Sequence, residues 1–406
     1  MEHGHGGTAH GADGVDIFST TGKRTESHQA KAHLALDRLA RQAGITINGN
    51  NPWDIQVRDE RFYQAVLGKW SLGLGEAYMD GYWECQQLDG CIARLLRSDL
   101  DEQVFGWGRL PLIWGVIQAK FRNLQSKKRA FQVGERHYDT GNDLFENMLD
   151  SKLVYSCAYW ENAPALEQAQ EHKLEMICRK LQLKAGEKLL DIGCGWGSFM
   201  AYASRHYGVE ATGVTVSKEQ RQYALEHYQD LPLKIELADY RDLQGKYDKI
   251  VSIGMFEHVG VKNYVTFFDT ARRLLKDDGL FLLHTIGNGV TTRGSDPWIG
   301  KYIFPNSDIP SAAQIAKALE RRFLIEDWHN FGQDYDRTLM AWYERFERTW
   351  PKLCAKYGER FHRMWKYYLL CCAGFFRSRQ GQLWQLVLTK RERTDAYRSL
   401  RLASLG

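Results

Sequence analysis

Three glycines at alternate positions, Gly193, Gly195 and Gly197 in "LLDIGCGWGSF", follow Asp191 at the end of an apolar run. Glycine lets a chain turn sharply and lets a ligand approach the backbone closely. The pattern reads as a binding loop between a strand and a helix. Its spacing is not the Gly-x-Gly-x-x-Gly that seats a pyrophosphate on a helix N-terminus. A carboxylate at the strand end suits a cationic ligand better than a phosphate. S-adenosylmethionine, with an amino acid head, a sulfonium and an adenosine but no phosphate, meets both conditions. A lone glycine loop could equally cradle a dinucleotide. The next strand in such proteins usually ends in an acid for the ribose hydroxyls; here "GVTVSKEQ" offers Thr215, Ser217 and Gln220 instead.

Other side chains could do chemistry. Glu257 and His258 in "GMFEHVG" follow an apolar run; they could form a general base pair or a metal site, or the acid could cap the next helix. His284 in "LLHTIG" alone reads as a core histidine, and Tyr335 in "FGQDYD" as a packed loop tyrosine. The eight cysteines (Cys85, Cys91, Cys157, Cys178, Cys194, Cys354, Cys371 and Cys372) show neither zinc-type spacing nor a disulfide framework. No metal centre is expected from them. Adjacent cysteines such as Cys371 and Cys372, on an apolar helix, are commonly small buried residues. Tyr138, Tyr155, Tyr159, Trp160 and Phe256 could be core, or could line a dry site whose ring faces stabilise cations.

These residues need a framework. From about Ala165 the pattern alternates helix and strand, with strands "EKLLDIG", "EATGVTVS", "LKIELAD", "KIVSIG" and "GLFLLHTIG", helices between them, and a last strand "QLWQLVLTK". That alternation specifies a parallel sheet covered on both faces. Upstream, "QAKAHLALDRLARQAGI" (Gln29 to Ile45) carries a helical apolar stripe and the region to about Arg129 looks mainly helical. The 406 residues, 44% hydrophobic and 26% charged, suffice for two domains. A net charge of +4 does not argue for nucleic acid, and none is expected as a partner. Between Lys120 and Arg136, six cations face the single acid Glu135, with Phe121, Leu124 and Phe131 interleaved. Such a segment can lie on an anionic bilayer, or can be a solvated helix and linker. "MEHGHGGTAHGADG" is no signal peptide, and no apolar run approaches the roughly 18 residues that span a membrane.

Taken together, "LLDIGCGWGSF", "GVTVSKEQ", "SIGMFEHVG", "LLHTIG", "KYIFPN", "DWHNFGQDYDRTLMAWYERF" and "HYDTGNDLF…YSCAYW" closely resemble the bacterial cyclopropane-fatty-acyl-phospholipid synthases, relatives of the mycobacterial mycolic acid enzymes. The resemblance runs from about Gly44 to the last strand. It implies an α/β fold, a class I S-adenosylmethionine-dependent methyltransferase (Rossmann-like) domain with a smaller, mainly helical N-terminal domain. The expected divisions are a tail at 1–28, an N-terminal domain at 29–118, a basic linker at 119–136 and the catalytic domain at 137–406. The implied reaction carries a methylene onto a cis double bond of a phospholipid acyl chain through a carbocation, with bound bicarbonate as base. A methyltransferase of the same fold that acts on lipid or a small molecule without ring closure is the alternative.

By this resemblance Glu257, His284, Tyr335, Cys157 and the Ile286 backbone hold bicarbonate, and Cys372 in "CAGFF" matches a cysteine associated with activity. Covalent catalysis by that thiol is not expected, because methyl transfer to an alkene needs no thiolate. The expected cofactor set is Tyr138, Tyr155, Ser156, Asp191, Gly193, Cys194, Gly195, Gly197, Thr215, Ser217, Gln220 and Tyr240. A homodimer, peripheral on the inner face of a phospholipid bilayer and otherwise cytoplasmic, is expected.

Overall fold

The computed structural model describes residues 33–98, 141–292 and 294–399. The expected tail at 1–28, the linker at 119–136 and Tyr138 lie outside these residues.

The centre is a seven-stranded sheet. Its strands are β3 (Lys188–Ile192), β4 (Glu210–Thr215), β5 (Leu233–Leu237), β6 (Tyr247–Ile253), β7 (Leu275–Asn288), β8 (Leu324–Asn330) and β9 (Gly381–Thr389), in the spatial order β5-β4-β3-β6-β7-β9-β8. The first five in that order are parallel, as the helix–strand alternation requires. The last two are not. β9 inserts antiparallel between β7 and β8, so the sheet is mixed rather than purely parallel. β8 itself was not expected.

Alternate residues of the inner strands feed two cores, following the period of two along a strand. Leu190, Phe281 and Leu283 pack with Phe267, Phe268 and Trp384 on one face. Leu189, Leu280 and Leu282 pack with Ile177, Met200 and Val387 on the other.

The helices are α1 (33–42), α2 (Arg61–Met79), α3 (Leu88–Arg97), α4 (Asn142–Met148), α5 (Leu166–Lys180), α6 (Ser198–Tyr207), α7 (Lys218–His227), α8 (Tyr264–Leu274), α9 (Pro297–Tyr302), α10 (Ala312–Leu319), α11 (Gln333–Tyr357) and α12 (Glu359–Arg377). A two-residue ribbon, β1 (Gln56–Val57) and β2 (Trp83–Glu84), joins the first group. α6 starts at Gly197 and stops at Gly208, both in the left-handed region that favours glycine.

The segment 33–98 shares one apolar core with α4, α9, α11 and α12. Phe62, Tyr78, Trp83 and Leu88 lie in the same cluster as Trp298, Trp342, Trp365 and Tyr367. Arginines of α12 fasten the rim. The guanidinium of Arg363 donates to Tyr78 O at 2.6 Å, Trp83 O at 3.2 Å and Glu84 at 2.6 Å. Arg377 holds Asp336 with two bonds of 2.8 and 2.9 Å and also pairs with Asp89 of α3.

Candidate active site

The carboxyl ends of β3, β4 and β6 open onto a cavity of about 240 Å³. This is the topological switch point, where strand order reverses and α/β sheets bind ligands. Tyr155, Ser156, Lys173, Asp191, Gly193, Cys194, Gly195, Thr215, Gln220 and Tyr240 all line it. Gly193 has φ +87° and packs so tightly that a Cβ there would stand 2.6 Å from Met255 Cγ. Side-chain-bearing residues rarely adopt that conformation, and this one has no room for a side chain. Asp191 is buried, its Oδ1 atom has no hydrogen-bond partner among the described residues, and burial pushes its carboxyl up to about 7. A carboxylate stranded in this way is suited to a cationic ligand.

Thr215 donates to Gln220 Oε1 at 3.0 Å, and both side chains face the cavity. Ser217 does not. Its hydroxyl accepts from Gln220 N at 3.2 Å and caps α7. Gly197 likewise opens α6 outside the lining. An acid does reach the cavity, but from the end of β5: Asp239, held by Arg241 Nε at 2.7 Å.

A second group of buried polar residues lies beside the first. Glu257 Oε1 accepts from Ile286 N at 2.6 Å, while Glu257 Oε2 is buried without a partner among the described residues. Burial raises this carboxyl to about 7. The Ile286 N–H, expected to face an anion, is therefore given to Glu257. His284 stands within β7 opposite Gln385 of β9. The Gln385 amide donates to His284 Nδ1 at 3.2 Å, which holds the ring as its Nε2–H tautomer. That Nε2 is also buried without a partner among the described residues, and burial keeps the ring neutral by pulling its pKa well below the usual range.

Tyr335, on α11, stacks on Phe376 at 4.5 Å; burial pushes its phenol well up, reinforced by the nearby Cys157, Glu257 and Tyr155. Cys157 is fully buried against Tyr159, Met176, Phe331 and Leu383, and burial raises its thiol well above the usual range. Burial raises Cys372 to about 12. Neither is a ready nucleophile.

Glu257 and His258 part company. Glu257 turns to β7, whereas His258 lines the cavity and is pulled down to about 4 by burial. They form neither a base pair nor a helix cap, and no group of three possible metal ligands occurs among the described residues. The aromatic residues divide too. Phe256 stacks on Tyr264 at 4.3 Å inside the sheet core, and Trp160 donates its ring N–H to Thr338 at 2.9 Å in the helical core. Tyr155 stays at the site, its hydroxyl 2.7 Å from that of Tyr368 on α12.

Lys173 went unread in the sequence. It is fully buried in α5, lines the cavity and donates to Ser156 Oγ at 2.8 Å. Gln385, which orients His284, was also missed; only its place opposite β7 marks it.

Residues 125–386 match the family model described as mycolic acid cyclopropane synthetase. The chain is 54% identical over 354 residues to the cyclopropane-fatty-acyl-phospholipid synthase of Escherichia coli (strain K12), covering 87% of this chain and 92% of that relative. Among solved structures, the cyclopropane synthase MmaA2 from Mycobacterium tuberculosis superposes with a TM-score of 0.61 at 31% identity, covering 64% of this chain and 98% of that one. The mycolic acid cyclopropane synthase CmaA1, complexed with SAH and CTAB, gives 0.60 at 32% identity over 64% and 98%.

Proposed function

The chain belongs to the mycolic acid cyclopropane synthetase family, and on that footing we propose that it carries a methylene from S-adenosylmethionine to the cis double bond of unsaturated phospholipid acyl chains, forming a cyclopropane ring. The observation that carries this reading is the loop Val154–Trp160. Tyr155 and Ser156 line the cofactor cavity, and the next residue, Cys157, packs in the cluster that includes Ile286 and Tyr335. The cofactor cavity and the cluster that holds Tyr335 thus meet at neighbouring residues of one loop.

In this chemistry the alkene attacks the sulfonium methyl, leaving a carbocation on the neighbouring carbon, and loss of a proton from the new methyl closes the ring. The second group of buried polar residues has the donors and acceptors that a small hydrogen-bonding anion needs. Glu257 Oε2 is an acceptor without a partner, His284 Nε2–H a donor without one, and Tyr335 keeps its hydroxyl proton. Bicarbonate bound by these groups supplies a base. Glu257 accepts its proton, His284 and Tyr335 orient its oxygens, and the neutral His284 does not compete for the proton being removed. Tyr155, which lines the cavity, adds an aromatic ring that favours a cation and helps to exclude water.

The enzyme acts as a homodimer on the bilayer surface, with the basic segment 119–136 as its membrane contact; that segment lies outside the described residues. No helix among the described residues is long and apolar enough to cross a membrane. The test is incubation with S-adenosylmethionine and vesicles of unsaturated phospholipid, followed by mass spectrometry of the acyl chains. Acyl chains heavier by one CH2, with the double bond replaced by a ring, are expected. Vesicles left unchanged would overturn the reading, and a methyl-branched chain would overturn ring closure alone.

A further inference from the structure

Buried polar side chains stand in one row across the antiparallel end of the sheet. Gln385 of β9 pairs with His284 of β7 on one side and with His329 of β8 on the other. Residues directly opposite one another in neighbouring strands share a face, so the three side chains lie side by side. Lys180, the last residue of α5, reaches the far end of the row. Its ammonium donates to His329 Nδ1 at 3.2 Å and pairs with Asp327 at 3.4 Å. All of these residues are buried. Phe331 packs on both imidazoles, with ring centres 5.0 Å from His329 and 5.9 Å from His284.

Each hydrogen bond in the row has a direction. An ammonium carries donors only, so His329 Nδ1 accepts and that ring holds its proton on Nε2. An amide can present either end. With its NH2 toward His284, Gln385 makes that ring's Nδ1 an acceptor and its Nε2 a donor. Turned over, the amide would take the proton of Nδ1–H and leave a bare lone pair at Nε2. The two orientations fill the same space, so shape does not choose between them. Local contact does not choose either, because Gln385 Oε1 has no hydrogen-bond partner among the described residues.

Charge does choose. A side-chain amide orients in the field around it. With Lys180 at the His329 end, the carbonyl is favoured at that end and the NH2 at the His284 end, which is the arrangement found. The field of Lys180 extends to His284: burial first, then the Lys173 and Lys180 ammoniums, keeps that ring neutral and so with a tautomer to select. Lys173 is committed to Ser156 Oγ at 2.8 Å, whereas Lys180 is bonded into the row itself.

Resting on the reading of His284 as a donor to the anion, we infer that Lys180, His329 and Gln385 are positioning residues for it. Lys180 sets the direction of the row, Gln385 passes that direction on, and His284 is held with its proton on Nε2. None of the three touches substrate, and no proton moves along the row.

The test is NMR of the full chain with ¹⁵N-labelled histidine rings, which separates the two neutral tautomers. The His284 and His329 signals are identified by their loss in His284→Asn and His329→Asn. Both rings should be Nε2–H in wild type. Gln385→Leu and Lys180→Met should each give His284 a mixture of tautomers and lower kcat about 10- to 100-fold, the range seen when a functional histidine loses the partner that orients it. Affinity for S-adenosylhomocysteine should stay within a few-fold of wild type. Lys180→Arg keeps the cation and should keep the single tautomer. A lysine that only supported packing would lower the melting temperature of Lys180→Met and leave the His284 tautomer alone. If Lys180→Met does not fold, the wild-type spectrum and Gln385→Leu decide. A wild-type proton on Nδ1 of either ring, or an unchanged His284 tautomer in the folded variants, overturns the proposal. Mixed tautomers with full turnover would support the row and overturn instead the part given to His284 in the reaction.

Discussion

Glu257 shows how much one buried side chain can be asked to do. Burial raises its carboxyl from the ordinary 4.5 to about 7, so over that range the folded protein holds a proton that the unfolded chain releases. The sign follows directly: stability falls as pH rises from about 4.5 to about 7. Glu257→Gln keeps an acceptor for Ile286 N but never ionises. It should raise unfolding stability at pH 8 by up to about 3 kcal/mol and change little at pH 4, read from denaturant midpoints. The same variant should lose turnover while binding S-adenosylhomocysteine within a few-fold of wild type; a collapse of that affinity would place Glu257 in the cofactor site. Glu257 was legible because it stands in a motif just after a strand. Lys173 was not, because "EHKLEM" surrounds it with charges and reads as a solvent-facing turn of helix. Ser217 misled for a related reason, since a hydroxyl that caps a helix and one that binds a ligand look the same in sequence.

At the scale of elements, the glycine loop depends on the strand beside it. Gly213 of β4 pairs with Asp191 of β3, and a Cβ there would collide with Met200 Sδ and stand 2.7 Å from Cys194 Sγ. Gly213→Val should therefore push the loop off its seat, lowering S-adenosylhomocysteine affinity at least about tenfold and costing about 1–3 kcal/mol of stability. An unchanged affinity would show that the loop adapts. The five parallel strands were legible because each is an apolar run bounded by turn residues. β8 was hidden because "LIEDWHN" is an edge strand with two exposed residues at its start and charges in its middle. The antiparallel insertion of β9 between β7 and β8 was also out of reach, because a strand's own sequence does not specify its neighbours.

For the molecule as a whole, composition suggested two domains, yet residues 33–98 share their core with α11 and α12. Nothing in the pattern of either segment shows that their apolar faces meet. Arg377 ties the parts at the rim, joining Asp89 of α3 to Asp336, the neighbour of Tyr335. Arg377→Ala should strand both acids, lower the melting temperature by a few degrees, and reduce turnover more than cofactor affinity. Unaltered kinetics would mean that the outer helices do not help to place Tyr335. α12 makes such coupling hard to avoid. Tyr367 packs on Tyr78 of α2, Trp83 of β2 and Trp298 of α9, and Gly374 leaves room for Asp89 O and Ile92. Tyr368, one residue along, touches Tyr155 of the cofactor loop. One helix thus touches both the cofactor loop and the core of the outer segment, with no joint between them, so a push on the outer helices reaches Tyr155 through a single element.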